Sequence, residues 1–352
     1  MAETMKAQTV KAPYVMEYGD VPIPEISDDE VLIKVKVCGI CGSDWSIYTG
    51  KYAADKLPMI TGHEFWGEIA KTGKNARGLK VGDRVAVDIC LTCGHCYFCR
   101  RGDELLCESF AQLGIHTNGG FAEYVKAPWK NCYALPDEMD DYTAAFVEPL
   151  TAVIHASKRM DAPLGSSVAV IGCGLGILHG ALAKARGCAP VIVIGRSEAR
   201  LRTAKEMGAD FTINTNDTPD VVAEVKRLTG GIGVDYVIEA VGSPETYEQA
   251  FKMLRRGGKL EAFGICAEDA AASLSPYEFV LGEKKVSGSC AGIGNNWGEA
   301  ITLLKYGIIK PQKMFSMAVP LKELESALKE LRENHDLVKV FVCPELEERI
   351  YF

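Results

Sequence analysis

The sequence predicts an α/β protein of two domains, a β-barrel-like first half followed by a doubly wound parallel sheet. Three observations carry this. The chain has 352 residues, beyond the size at which one hydrophobic core usually keeps growing. Residues 8–150 contain short β-rich runs, VLIKVKV, FWGEIAKTG, DRVAVDI and GFAEYVKAP, separated by Gly, Pro and Asp turn signals. From Ser166 onward strand and helix alternate, as in a parallel βαβ sheet.

Residues 1–150 are therefore expected to form the first domain. Residues 151–290 follow with SVAVIGCG, a helix to Arg186, PVIVIG, and EARLRTAKEMG with its glycine stop. The alternation continues through VDYVIEAVG, a helix over PETYEQAFKMLRRGG, then KLEAFGI and KKVSGSC, about six strands in all. Residues 291–352 hold two amphipathic helical stretches and a final KVFV strand, too little for a domain of their own, and are expected to return to the first.

Hydrophobic residues make up 47% and charged residues 24%, a globular composition that allows a sizeable core. The net charge of -8 argues against nucleic acid or an anionic membrane as the main partner. MAETMKAQTV lacks the basic and apolar regions of a secretory signal, and no apolar run is long enough to span a bilayer, so a cytoplasmic location is expected. Thirteen cysteines, an odd number, fit metal ligation better than a disulfide set.

Cys93, Cys96, Cys99 and Cys107 form C-x2-C-x2-C-x7-C, spacing that lets four thiolates close a tetrahedron around one ion. Such a closed shell leaves no position for substrate, so its role is structural. Ferredoxin-type clusters use different runs. A second set is dispersed: Cys41 in GICGSD, His63 and Glu64 in TGHEFWGE, and Glu148 in FVEPL. Each alone is weak, because a lone His or Cys is more often a core residue than a ligand.

Together, GICGSD, GHEFWGE, GLKVGDRVAV, the cysteine lobe, GGFAEYV, VEPL and the Gly-rich loop, in that order, resemble the zinc-dependent medium-chain dehydrogenase superfamily, specifically its polyol and threonine dehydrogenases. The resemblance covers nearly the whole chain. It implies a GroES-like β-barrel catalytic domain and a Rossmann domain, one catalytic and one structural zinc per chain, and a homodimer or homotetramer. It also implies that Cys41, His63 and Glu64 bind the catalytic zinc. Glu148 stands where simple alcohol dehydrogenases have a third cysteine ligand, and binds directly or through water. Asp44 matches the residue that orients the ligand histidine, and Ser43 the hydroxyl that takes the substrate proton. Ser46 stands where a relay histidine is common, and near Gly292 and Ile293 the chain reads AGIGNNW where sorbitol dehydrogenases place an Arg-Tyr pair. Trp45, Tyr48, Tyr52, His116 and Trp297 are candidates for lining the substrate pocket.

Between SVAVI and the next helix lie Gly172, Cys173, Gly174, Leu175 and Gly176, whose backbone N–H groups suit a pyrophosphate. The family pattern is G-x-G-x-x-G; Ile177 takes the third glycine's place and Gly176 sits one position early. The second strand ends in Gly195, Arg196 and Ser197 without the carboxylate that chelates the ribose of NAD, which favours NADP, with NAD the alternative. The expected activity is hydride transfer between a secondary alcohol and NAD(P), at a site between the domains. The alternatives are a threonine-type amino-alcohol dehydrogenase, a zinc-ribbon binding module without catalysis, and a relative of the same fold without zinc.

Overall fold

The strand Glu30–Gly39 sets Lys34 and Lys36 between the buried Ile33, Val35 and Val37, and also buries Val31 and Leu32. Because both of its edges are used, it becomes the centre of a sheet. It pairs antiparallel with Glu64–Thr72, from Val31↔Thr72 to Gly39↔Glu64. It also pairs antiparallel with Tyr124–Pro128 and, at Phe341↔Gly39, with Lys339–Cys343. The computed structural model, which describes residues 3–352, places eight strands in this sheet, adding Cys132–Ala134, Arg84–Val87, Phe315–Pro320 and Ile350–Tyr351. A three-stranded sheet joins Val15–Pro22, Thr4–Ala12 and Met59–Ile60. This mostly antiparallel half is the β-rich first domain that the sequence calls for.

The second unit is a six-stranded parallel sheet in the order Phe211–Asn214, Val191–Gly195, Val168–Ile171, Val234–Glu239, Leu254–Ala262, Lys285–Gly288. Chain order reverses between Val168–Ile171 and Val234–Glu239, the switch point at which doubly wound sheets bind nucleotides beyond their strand ends. VAVI and VIVIG are buried at every position, as strands covered on both faces must be. One boundary differs from expectation. The helix of PETYEQAFKMLRRGG stops at Met253, and Leu254 opens the next strand opposite Val234, where both side chains are buried. Burial there overrides the helical pattern.

Chain segments divide between the units as follows. Residues up to Pro149, with Ile293–Lys305 and Met314–Phe352, form the first; Leu150–Gly292 and Tyr306–Lys313 form the second. The return of the C-terminal residues brings Lys339–Cys343 beside Glu30–Gly39. No helix among the described residues is long and apolar enough to cross a membrane.

Candidate active site

Cys41 precedes the short helix Gly42–Tyr48 as its N-cap, with its N–H donating to Asp44 Oδ2 at 2.8 Å. That bond closes a capping box, because the Cys41 side chain in turn accepts from the Asp44 backbone. His63 sits immediately before the strand Glu64–Thr72, so His63 and the first residue of that strand reach the same place as Cys41. One ligand atom from each of Cys41, His63 and Glu64 lies within 4.8 Å of the others. The His63 ring is bracketed. Nδ1 lies 3.7 Å from Asp44 Oδ1 and Nε2 lies 3.4 Å from Ser43 Oγ. Asp44 thus faces one nitrogen of the imidazole, which leaves the Nε2 edge for a metal on the Ser43 side.

The cluster is buried and highly charged. Burial opposes a thiolate at Cys41, yet the His63 imidazolium, its hydrogen bond and Lys339 bring that thiol down to about 6. Burial likewise opposes a charged His63, but Cys41, Asp44 and Glu148 raise it to about 9. Glu148, in the first turn of the helix Val147–Met160, is pushed by burial up to about 8. It lies outside the 4.8 Å set, while His63, Cys41 and Asp44 all act on its charge. A thiolate, an imidazole and a carboxylate, with a further carboxylate alongside, form the mixed N/S/O donor set that suits zinc and leaves a position open for exchange.

Lys339 is a member of this site absent from the sequence-derived set. Its ammonium pairs with Glu64 Oε2 and donates to the Ile40 carbonyl at 3.1 Å. Both side chains are buried. Gly39 makes the approach possible, since a Cβ there would lie 2.7 Å from Lys339 Cε and nearer still to the Glu64 carboxylate.

The four-cysteine lobe closes on itself. Cys93 Sγ lies 3.9 Å and Cys96 Sγ 3.5 Å from Cys99 Sγ, bracketing the spacing of roughly 3.8 Å that tetrahedral thiolates on zinc require. Backbone N–H groups of Cys93, Cys96 and Ser109 donate to sulfur at 3.3–3.4 Å, bonds that favour thiolates. All thirteen cysteines are free of disulfides.

Gly172 follows the strand Val168–Ile171 with φ +113°, and the helix Gly176–Ala185 begins at Gly176. Leu175 is its N-cap, and Gly172 and Gly174 lie in the turn before it. The close packing of helix on sheet falls to Gly176 and Gly180. Added Cβ atoms there would lie 3.0 Å from Val170 Cγ1 and 2.9 Å from Val193 Cγ2, so Ile177 is accommodated, buried, in the third glycine's place. At the end of the second strand Gly195 is buried and Arg196 exposed, and Ser197 caps the helix Glu198–Glu206 by accepting from Arg200 N at 3.2 Å. Arg200, in that helix's first turn, is a second cation beside the Arg196 that the sequence singles out.

The aromatic candidates separate. Trp297 is fully buried and stacked on Tyr133, and Tyr48 is buried with its hydroxyl donating to Glu325 at 2.7 Å; both are core residues. Trp45 and His116 are half-buried and Tyr52 is exposed.

Two family models match the chain, the alcohol dehydrogenase GroES-like domain over residues 27–137 and the zinc-binding dehydrogenase domain over residues 174–306. A sorbitol dehydrogenase of Bacillus subtilis is 34% identical over 352 residues, 97% of this chain and 98% of that protein. An L-threonine 3-dehydrogenase of Bacillus velezensis is 34% identical over 92% of this chain and 94% of that protein. Among solved structures, a candidate zinc-binding dehydrogenase of Sinorhizobium meliloti bound to NADP superposes with a TM-score of 0.91 at 32% identity, covering 97% of this chain and 100% of that one. The barrel-like unit with its Cys41, His63 and Glu64 cluster, the parallel-sheet unit and these matches agree: the chain belongs to the zinc-dependent medium-chain alcohol dehydrogenase superfamily, in its polyol and threonine dehydrogenase branch, and is an NAD(P)-linked oxidoreductase.

Proposed function

We propose that the protein transfers a hydride between the secondary carbinol carbon of a polyol, or a related compound with neighbouring hydroxyls, and C4 of the nicotinamide of NADP. The observation that carries this is the buried Cys41, His63 and Glu64 set with the Ser43 hydroxyl 3.4 Å from His63. These three residues would hold a catalytic zinc, with Glu148 as a fourth ligand bound directly or through water, and Cys93, Cys96, Cys99 and Cys107 a structural one. At the open set, zinc supplies Lewis acidity toward an alcohol oxygen. Ser43 takes the hydroxyl proton outward, Asp44 fixes the imidazole, and Lys339 holds the Glu64 carboxylate in place. The turn from Gly172 to Gly176 presents its backbone to the pyrophosphate.

Carboxylates at 64 and 148 make this a more polar metal site than cysteine pairs do, which suits substrates rich in hydroxyls. An L-threonine-type substrate is the second reading, favoured by the likeness to the threonine dehydrogenase and by the absence of an Arg-Tyr pair near Gly292. A panel of polyols, phosphorylated polyols, sugar acids, threonine and ethanol, followed by reduced-cofactor absorbance, tests both readings. The polyol class should give the highest kcat/KM and ethanol a low one; ethanol or a bulky aromatic primary alcohol as best substrate would contradict the assignment.

The NADP preference rests on Gly195, Arg196 and Ser197. Losing a repulsive carboxylate and gaining one charge-assisted bond to the 2′-phosphate is worth about 1–3 kcal/mol, roughly tenfold to a hundredfold in affinity. Arg196→Ala should move the kcat/KM ratio toward NAD by that order, and an unchanged ratio would remove the phosphate pocket from the account. The outer strand Lys285–Gly288, with Val286 exposed on the sheet edge, supports self-association as a homodimer or homotetramer.

A further inference from the structure

We propose that Cys173 is a determinant of cofactor preference, because its side chain fills the space that a ribose-binding carboxylate at position 195 would need. The inference deepens the NADP reading above and rests on it. Cys173 lies in the phosphate-binding turn and is buried, and it packs against the Cα of Gly195 at the end of the neighbouring strand. A Cβ built on Gly195 would lie 2.7 Å from Cys173 Cβ and nearer still to its Sγ, with Leu201 Cδ2 at 3.5 Å behind. The nearest atoms belong to the first two positions of a short side chain, so no rotamer change moves both away.

Nor is the backbone on either side free to give. Gly172 N donates to Ile194 O at 2.8 Å, which ties the phosphate turn to the second strand just before Gly195. Thr215 N donates to Gly195 O at 2.9 Å, and Asn216 Nδ2 to Arg196 O at 3.0 Å, which fixes the other side. A Cβ at 195 therefore cannot be placed without a shift of the phosphate turn or of the strand end that carries residue 195. NAD-type ribose chelation is thus disfavoured twice: once by the missing carboxylate, and once by Cys173 filling its place. Cys173 acts through the backbone of residue 195, as a positioning residue.

The test is a double-mutant cycle on the zinc-loaded protein, with KM and kcat measured for NADP and NAD on one substrate. Gly195→Ala introduces bulk without charge. It should raise KM for both cofactors by about tenfold or more, the order expected for an overpacked site, with their ratio unchanged. Cys173→Gly combined with Gly195→Ala should recover most of that loss, so that the two changes are strongly non-additive. Gly195→Asp alone should bind both cofactors poorly, and only Cys173→Gly/Gly195→Asp should shift kcat/KM toward NAD. If the single Gly195 variants fail to fold, restored soluble yield in the double variants supports the proposal and unrestored yield overturns it. Wild-type KM values in Gly195→Ala, or a shift toward NAD in Gly195→Asp alone as large as in the double variant, would also overturn it. The wild-type NADP to NAD ratio reports separately on the underlying cofactor reading, so failure of one is told from failure of the other.

Discussion

Replacing Lys339 with methionine keeps most of the side-chain volume and removes the cation that pairs with the Glu64 carboxylate. Lys339 is 7% and Glu64 2% exposed, so water cannot take the place of the lost partner. Stranding one member of a buried ion pair costs about 3–5 kcal/mol, and the Ile40 carbonyl loses a donor as well. Units of this size lose roughly 2–4 °C of Tm per kcal/mol, so zinc-stripped protein should melt on the order of 10 °C lower than wild type. Zinc restores a positive charge beside Glu64, so the loss should shrink in the loaded protein. Glu64→Gln combined with Lys339→Met leaves no charge stranded and should cost less than the sum of the single changes. Thermal unfolding followed by circular dichroism, with and without zinc, gives all of these values. A Tm change below about 2 °C in the zinc-free Lys339→Met protein, or strict additivity, would refute the reasoning.

Two further outcomes concern other side chains. Cys96→Ser opens the four-thiolate lobe and should lower thermal stability and the retained zinc, with a smaller effect on the KM for substrate; unchanged stability would show that the lobe does not brace its loop. His179 is 2% exposed, packs edge-on against Phe263 with ring centroids 4.4 Å apart, and makes no hydrogen bond through either nitrogen. Burial pushes its pKa down to about 3. The unfolded chain takes up this proton below about 6.5 while the folded one refuses it until about 3, so stability falls as pH drops through that window, by about 2 kcal/mol at pH 5. His179→Leu should flatten that slope in urea titrations at pH 5 and 7.5, whereas an unaltered pH dependence would place the acid sensitivity elsewhere.

What the sequence shows and what it hides divide by the range of the interaction. The cysteine lobe is legible because its four ligands lie within fifteen residues, and the phosphate turn because strand, glycines and helix are contiguous. Cys41 with Ser43 and Asp44 is legible for the same reason: one turn of helix carries all three. Lys339 is hidden, because its contact with Glu64 spans 275 residues and depends on a C-terminal strand pairing with Glu30–Gly39. In the sequence it is only the first residue of KVFV. Tyr48 and Trp297 mislead in the opposite direction, since the sequence offers them as candidates for the pocket while packing makes them core. Ile177 presents a milder case. The glycine pattern fixes where a helix must come close to the sheet, but the close approach is met one residue early and again at Gly180. Cys173 and Gly195 are each visible in the sequence; that one fills the space above the other emerges only when adjacent parallel strands are set in register.

The central claim is that Cys41, His63 and Glu64 hold a zinc ion needed for turnover, apart from the one in the cysteine lobe. Metal analysis of freshly purified wild type and Cys41→Ser, paired with activity and circular dichroism, tests it directly. About two zincs per chain are expected in active wild type, and about one in Cys41→Ser with the fold intact and turnover abolished. A fully active wild type carrying one zinc or none, or a Cys41→Ser protein that keeps both its metal content and its activity, would contradict it.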